Sequence, residues 1–145
     1  KGVELSFEQW GAKGATAYLA DNTSTPAVYT DPAGLNSYSG PVSSITVAWD
    51  DSNPVEQQLE RIITQKWLAM FPLGLEAWSD YRRTGYPKLM PVKLNNSGGV
   101  VSSERGARRL AYPQEERSNN LDNYNAAVGM LGGADNMATD VWWAK

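Results

Sequence analysis

A chain of 145 residues with 13 Lys and Arg against 16 Asp and Glu carries a net charge of -3. Its length suits one modest domain, and its acidic balance excludes a general nucleic-acid binder, which draws on an excess of basic side chains. With neither Cys nor His, it has no disulfide, thiolate nucleophile, Cys/His zinc site or imidazole base.

The chain opens with Lys1 and Gly2 and no charged-then-apolar leader, as expected of a piece of a longer protein or of a processed secreted chain. From Val3 to Trp10 the apolar residues Val3, Leu5, Phe7 and Trp10 suggest a short helix that Ser6 could cap, and Ala15 to Ala20 form a second helix-prone stretch. The following DNTSTPAVYTDPAGLNSYSGP places a turn former at almost every second position. Loops longer than about 12 to 15 residues are uncommon in compact domains and are often functional or disordered. This one carries Tyr29 and Tyr38, amphipathic rings that serve either ligand stacking or packing of the loop on its own domain.

Ile45, Val47 and Trp49 alternate strictly, which fits a brief strand or an extended arm. Asp50, Asp51 and Asn53 crowd the next positions, too few oxygens for calcium, so capping is their expected use and no metal or other cofactor is expected.

The densest signals lie from Asn53 to Pro87. Asn53 as cap, Pro54 in the first helical position and Glu56 three residues after the cap predict a helix start. Val55, Leu59, Ile62, Ile63, Trp67 and Met70 then follow helical spacing and predict one buried face. Pro72 stops or kinks that helix, Leu75, Trp78 and Tyr81 restart a shorter one, and Gly85 and Pro87 end it. The most apolar stretch, Trp67 to Leu75, is far shorter than the roughly 20 residues that cross a bilayer.

Beyond Pro87, KLMPVKLNNSGGVVSS reads as a small β-hairpin turning at Asn95 to Gly99. Arg105, Arg108 and Arg109 could hold a phosphate or carboxylate, but Glu104, Glu115 and Glu116 are nearby and intramolecular pairing is the default expectation. Ser118 to Asn120 cap a last helix over Leu121 to Leu131, which Gly132 and Gly133 stop, and Trp142 and Trp143 are expected to pack back on the domain. There is no convincing internal repeat.

Several separated motifs occur in a telling order: Gln65 to Trp67, FPLG at Phe71 to Gly74, EAWSDYRRTGYPKL at Glu76 to Leu89, RRLAYPQEERSNN at Arg108 to Asn120, and LGGADNMATDVWW at Leu131 to Trp143. Together with the opening ELSFEQWG and the ADNTSTPAVYTDP stretch, they resemble the carboxyl-terminal part of the SusD-like (SusD/RagB) outer-membrane nutrient-binding lipoproteins of Bacteroidetes. Leu75 departs from the pattern, where a polar residue is expected before Glu-Ala-Trp.

The resemblance implies a mainly α-helical fold with long irregular loops, and residues 1–145 as a single region of a longer protein. The tetratricopeptide-like amino-terminal half and the lipid anchor that tethers the protein to the membrane would lie outside it. It further implies non-catalytic binding of oligosaccharides at the cell-surface face of the outer membrane, as partner of a SusC-type TonB-dependent transporter.

Tyr29, Tyr38 and Trp49 are the candidate ligand-binding residues, because flat rings stack on sugar faces. Trp67, Trp78, Tyr81, Arg82 and Arg83 are assigned to core and helix termination, basic residues in a last turn complementing the helix dipole. Three alternatives stay open: peptide binding, a half that docks the transporter while ligand binds elsewhere, and a glycoside hydrolase. The hydrolase is disfavoured because Glu76 and Asp80 lie four residues apart on one helix, too close to straddle a glycosidic bond.

Overall fold

The helical spacing read from the sequence is realised, and the strand patterns are not. A computed structural model describes residues 1–144, and its regular structure is six helices with no strand among the described residues. They are α1 (Gly2–Gln9), α2 (Ala15–Leu19), α3 (Val55–Ala69), α4 (Gly74–Thr84), α5 (Gln114–Asn119) and α6 (Leu121–Met130). The chain divides into two compact units, Lys1–Leu89 and a second that starts at Met90.

In the first unit α1 packs against α2 and α3. Phe7 of α1 and Tyr18 of α2 lie 5.4 Å apart ring to ring, and the Tyr18 hydroxyl exchanges hydrogen bonds with the Gln65 amide of α3 at 2.9–3.0 Å. Ser6 lies inside α1 and Lys1 occupies the cap position, so the expected Ser6 cap is not formed.

At α3 the expected Asn53 cap is not made either: the helix begins at Val55, Pro54 is its cap residue, and no side chain bonds its free amides. The Asn53 Oδ1 instead accepts from Arg61 Nη1 at 3.0 Å, while Arg61 Nε donates to the Thr46 carbonyl at 3.0 Å. The guanidinium outcompetes the amides because it brings charge to the bond. Glu56, the other half of the expected cap, accepts from the Tyr86 hydroxyl at 3.1 Å.

The face predicted to be buried is so only in part. Ile63 and Met70 are enclosed, whereas Val55, Ile62 and Trp67 are exposed. Glu60 is buried beside Ile63, its carboxylate accepting from Ser43 Oγ at 2.6 Å. In α4 the buried residues are Ala77, Asp80, Arg82 and Thr84, while Leu75 is exposed and Trp78 and Tyr81 are half-buried. A buried carboxylate needs charged partners, and Asp80 has Lys66 at 2.5 Å and Arg83 at 2.7 Å. Arg82 lies over the Trp78 ring at 3.6 Å, which gives the guanidinium a face to rest on. Gly85, at φ +77°, ends the helix in the left-handed region that favours glycine.

The arm at Ile45 to Trp49 is irregular. Its amide at Ala48 donates to the Asp21 carbonyl at 2.8 Å, closing the long loop at its base.

In the second unit the expected hairpin keeps its turn but forms no ladder. One backbone bond joins its arms, from Val92 N to Ser103 O at 2.9 Å. The Asn95 side-chain amide takes the Val101 carbonyl at 2.7 Å, an acceptor a ladder would need, and also donates to Ser103 Oγ at 3.0 Å. Pro91 has no amide hydrogen to contribute.

Ser118 and Asn119 belong to α5, a helix the sequence did not signal, and Asn120 lies between α5 and α6 without a side-chain cap bond. Pro113 sets the first turn of α5 at φ -58°, with Glu115 and Glu116 at its positive end. Of the two tail tryptophans expected to pack on the domain, Trp143 is half-buried, but Trp142 is 95% exposed.

The three arginines pair within the chain as expected, and aspartates of the tail are among their partners. Arg105 and Arg108 reach Asp140 at 2.7 and 2.6 Å, and Arg109 reaches Asp135 at 2.6 Å. Arg108 and Arg109 are buried, and aspartates carried in by the tail allow a direct contact there.

Candidate functional site

The long loop is built on its own side chains. Asp31 Oδ1 accepts from the Ala33 amide at 3.0 Å, and Oδ2 accepts from Leu35 and Asn36 at 3.1 and 2.8 Å. The Asp31 amide donates to Ser37 Oγ at 3.0 Å. These backbone donors, Ala33 first, hold the Asp31 carboxyl below the usual carboxylate range. At the neck of this turn the Tyr38 amide donates to the Tyr29 carbonyl at 3.0 Å. The two tyrosines are thus joined across the loop, with Tyr29 45% exposed and Tyr38 half-buried.

Trp49 lies elsewhere in the same unit. Its ring is 50% exposed, and its indole Nε1 donates to Asp51 Oδ1 at 2.7 Å, which fixes the orientation of the ring. It lines a cleft of about 830 Å³ together with Phe7, Trp10, Tyr18, Ile62 and Gln65, and Tyr29 and Tyr38 are not among the lining residues. That volume lies within the range of small-molecule sites.

The cleft walls are mainly apolar, with Phe7, Trp10, Tyr18 and Trp49 as their rings and Lys1, Ser6, Arg61, Gln65 and Lys66 as their polar groups. Gln65 is bonded to Tyr18, Arg61 to Asn53 and Thr46, and Lys66 to Asp80 and Glu76. Such a cleft can offer flat faces for stacking and, from these pre-positioned groups, a few donors for hydroxyls. Trp10, another lining residue, is 57% exposed, although its place at the end of an apolar pattern reads in the sequence as core.

Glu76 and Asp80 do not form a pair of carboxylates facing each other across a substrate bond. Glu76 and Asp80 are both bridged by Lys66 Nζ, at 3.5 and 2.5 Å. Burial works to raise the Asp80 carboxyl, and the Lys66 and Arg83 bonds more than offset it, so it stays ionised and is no general acid near neutral pH. Among the described residues no three carboxylates gather where they could hold a metal ion. None of the described helices is long and apolar enough to cross a membrane.

Comparison with known proteins bears on the whole of this arrangement. The profile of the SusD-like family, described as Susd and RagB outer membrane lipoprotein, matches residues 1–144. A SusD homolog from Bacteroides uniformis superimposes with a TM-score of 0.94 and 61% identity, over 99% of this chain and 30% of that one. A chitin-binding SusD homolog from Flavobacterium johnsoniae gives a TM-score of 0.90 and 52% identity over 97% of this chain and 29% of that one. A SusD homolog from Bacteroides thetaiotaomicron gives 0.89 and 48% identity, over 98% and 31%.

No curated protein sequence matches. The chain spans about 30% of the length of the solved relatives it matches. Its helices, its loops and its ordered motifs agree with one conclusion, that this chain belongs to the SusD/RagB family of outer-membrane lipoproteins.

Proposed function

We propose that this chain is part of a non-catalytic protein that captures oligosaccharides at the cell-surface face of the outer membrane and passes them to a SusC-type TonB-dependent transporter. The observation that carries this reading is the 52% identity, across 97% of the chain, to a SusD homolog that binds chitin. The cleft with its four rings and the pre-folded tyrosine loop support this reading as surfaces on which sugars can stack. Tyr29, Tyr38 and Trp49 are proposed as the rings that stack on sugar faces.

Isothermal calorimetry with chitin oligosaccharides tests the reading. Replacing Tyr29 or Trp49 with Ala is expected to weaken binding about fivefold, since one aromatic contact contributes about 1 kcal/mol. Unchanged affinity in both variants would remove these rings from the site. Absence of binding across a panel of chitin, starch and xylan oligosaccharides would set the glycan reading aside. Release of free sugar from any of them would show an enzyme instead.

A further inference from the structure

The cleft beside Trp49 has a charge to match as well as rings to stack on. Among the described residues that line it, Lys1, Arg61 and Lys66 are cationic and none is a carboxylate. Lys66 is already bridged to Glu76 and Asp80, and the Lys1 side chain is 93% exposed, where water screens it. Arg61 is different.

It is half-buried, and its hydrogen-bond partners are neutral. Nε donates to the Thr46 carbonyl and Nη1 to Asn53 Oδ1, both at 3.0 Å, and Nη2 reaches Thr46 Oγ1 at 3.5 Å. No ion pair joins it to a carboxylate among the described residues. The Asp50 carboxyl, held below the usual carboxylate range first by bonds from the Ser52 hydroxyl and amide and then by the Arg61 charge, does not line the cleft. A guanidinium has more N–H donors than these bonds use, so they fix its plane and leave a hydrogen on each terminal nitrogen. A glycan hydroxyl can accept from such donors without neutralising the charge, whereas a carboxylate does both and matches the fork of the guanidinium.

Within the glycan-capture reading above, on which this inference rests, we propose that the oligosaccharide taken by the cleft is acidic: a uronate-bearing glycan whose ring stacks on Trp49 and whose carboxylate meets Arg61. Neutral glycans stack on the same rings and bind more weakly.

The protein proposed above, of which residues 1–145 are part, is titrated by calorimetry with oligosaccharides of galacturonate, mannuronate and glucuronate, and with their methyl esters, which keep the ring and lose the charge. At least one acid is expected to bind about tenfold more tightly than its ester, with the ratio shrinking in high salt. Arg61→Gln is expected to bring that ratio to about one, and Arg61→Lys to keep part of it.

Esters that bind as tightly as their acids overturn the acidic ligand and leave glycan capture standing. Binding to no glycan, acidic or neutral, removes both. An acid preference that Arg61→Gln leaves intact assigns the charge to another residue and also overturns the proposal. Arg61 fastens Thr46 and Asn53 to α3, so circular dichroism accompanies each variant. If Arg61→Gln unfolds, the acid-to-ester ratios of the unaltered protein and of Arg61→Lys decide.

Discussion

Arg109 and Asp135, 26 residues apart in sequence, meet at 2.6 Å with side chains only 7% and 4% exposed. Asp135 also accepts from Arg117 at 2.8 Å, from the Tyr112 amide at 3.0 Å and from the Tyr124 hydroxyl at 3.1 Å. One carboxylate therefore ties the arginine segment, α5 and α6 to the tail.

Asp135→Asn should be the most damaging conservative change in the second unit. It leaves Arg109 buried without its counter-charge, a situation that costs about 3 kcal/mol. Urea unfolding followed by circular dichroism should show a midpoint shifted down in proportion, and an unchanged midpoint would show that the network contributes nothing net.

The same residue sets an acid limit. Burial works to raise the Asp135 carboxyl, but Arg109, the Tyr112 amide, Arg117 and Tyr124 outweigh it and hold it well below the usual carboxylate range. A carboxyl whose folded pKa is depressed stabilises fully above its unfolded value, 3.8 here, and loses that contribution as pH falls toward the folded value. Stability should be flat from about pH 8 to about pH 5 and fall below about pH 4. Asp80 and Asp140 are lowered against burial in the same way, so Asp135→Asn should make the acid arm shallower without abolishing it. Melting temperatures of the two proteins across this range check the slope.

Ser43→Ala removes the donor that meets Glu60 Oε1 at 2.6 Å. Glu60 is buried, and a hydrogen bond to a charged group contributes about 2 kcal/mol. Thermal unfolding should begin several degrees lower, and hydrogen exchange should quicken in the loop before α3 ahead of α3 itself. Equal exchange in both segments would contradict a role in pinning the loop.

Gly85→Ala isolates a backbone effect. A methyl there would meet no atom within 4 Å, so only the φ of +77° opposes it. The left-handed conformation costs a residue with a Cβ about 1–2 kcal/mol. Denaturant titration should register that loss with little change in helix content, and a neutral result would mean that the turn after α4 relaxes to another conformation.

How much of this was legible in the sequence depended on whether the deciding partner was local. The end of α3 and the end of α4 were, because Pro72 and Gly85 act on the backbone beside them. The burial of Asp80 in place of Leu75 was not, since it rests on Lys66 from the preceding helix. Pairing of the arginines within the chain was legible from the nearby acidic residues, but Asp135 and Asp140 as partners were not, because the tail brings them in from far along the sequence. α5 escaped because six residues reading QEERSN have no apolar stripe to detect. At the candidate site, Tyr29 and Tyr38 were visible as aromatics in a polar loop, whereas the cleft of Trp10 and Trp49 is created by helix packing that periodicity alone does not place.

The bond between the Ala48 amide and the Asp21 carbonyl has a meaning for how such a chain can diversify. It fastens the two feet of the loop to each other, so whatever lies between them is a closed excursion from a fixed base. Doubling the length of a flexible excursion adds only about 0.6 kcal/mol of closure entropy. Residues can therefore be inserted or deleted at the turn that Asp31 folds, short of Ser43 and Thr46, which bond α3, at little thermodynamic expense. The surface of that loop can thus be redrawn by a change of length alone, with its base kept where it is.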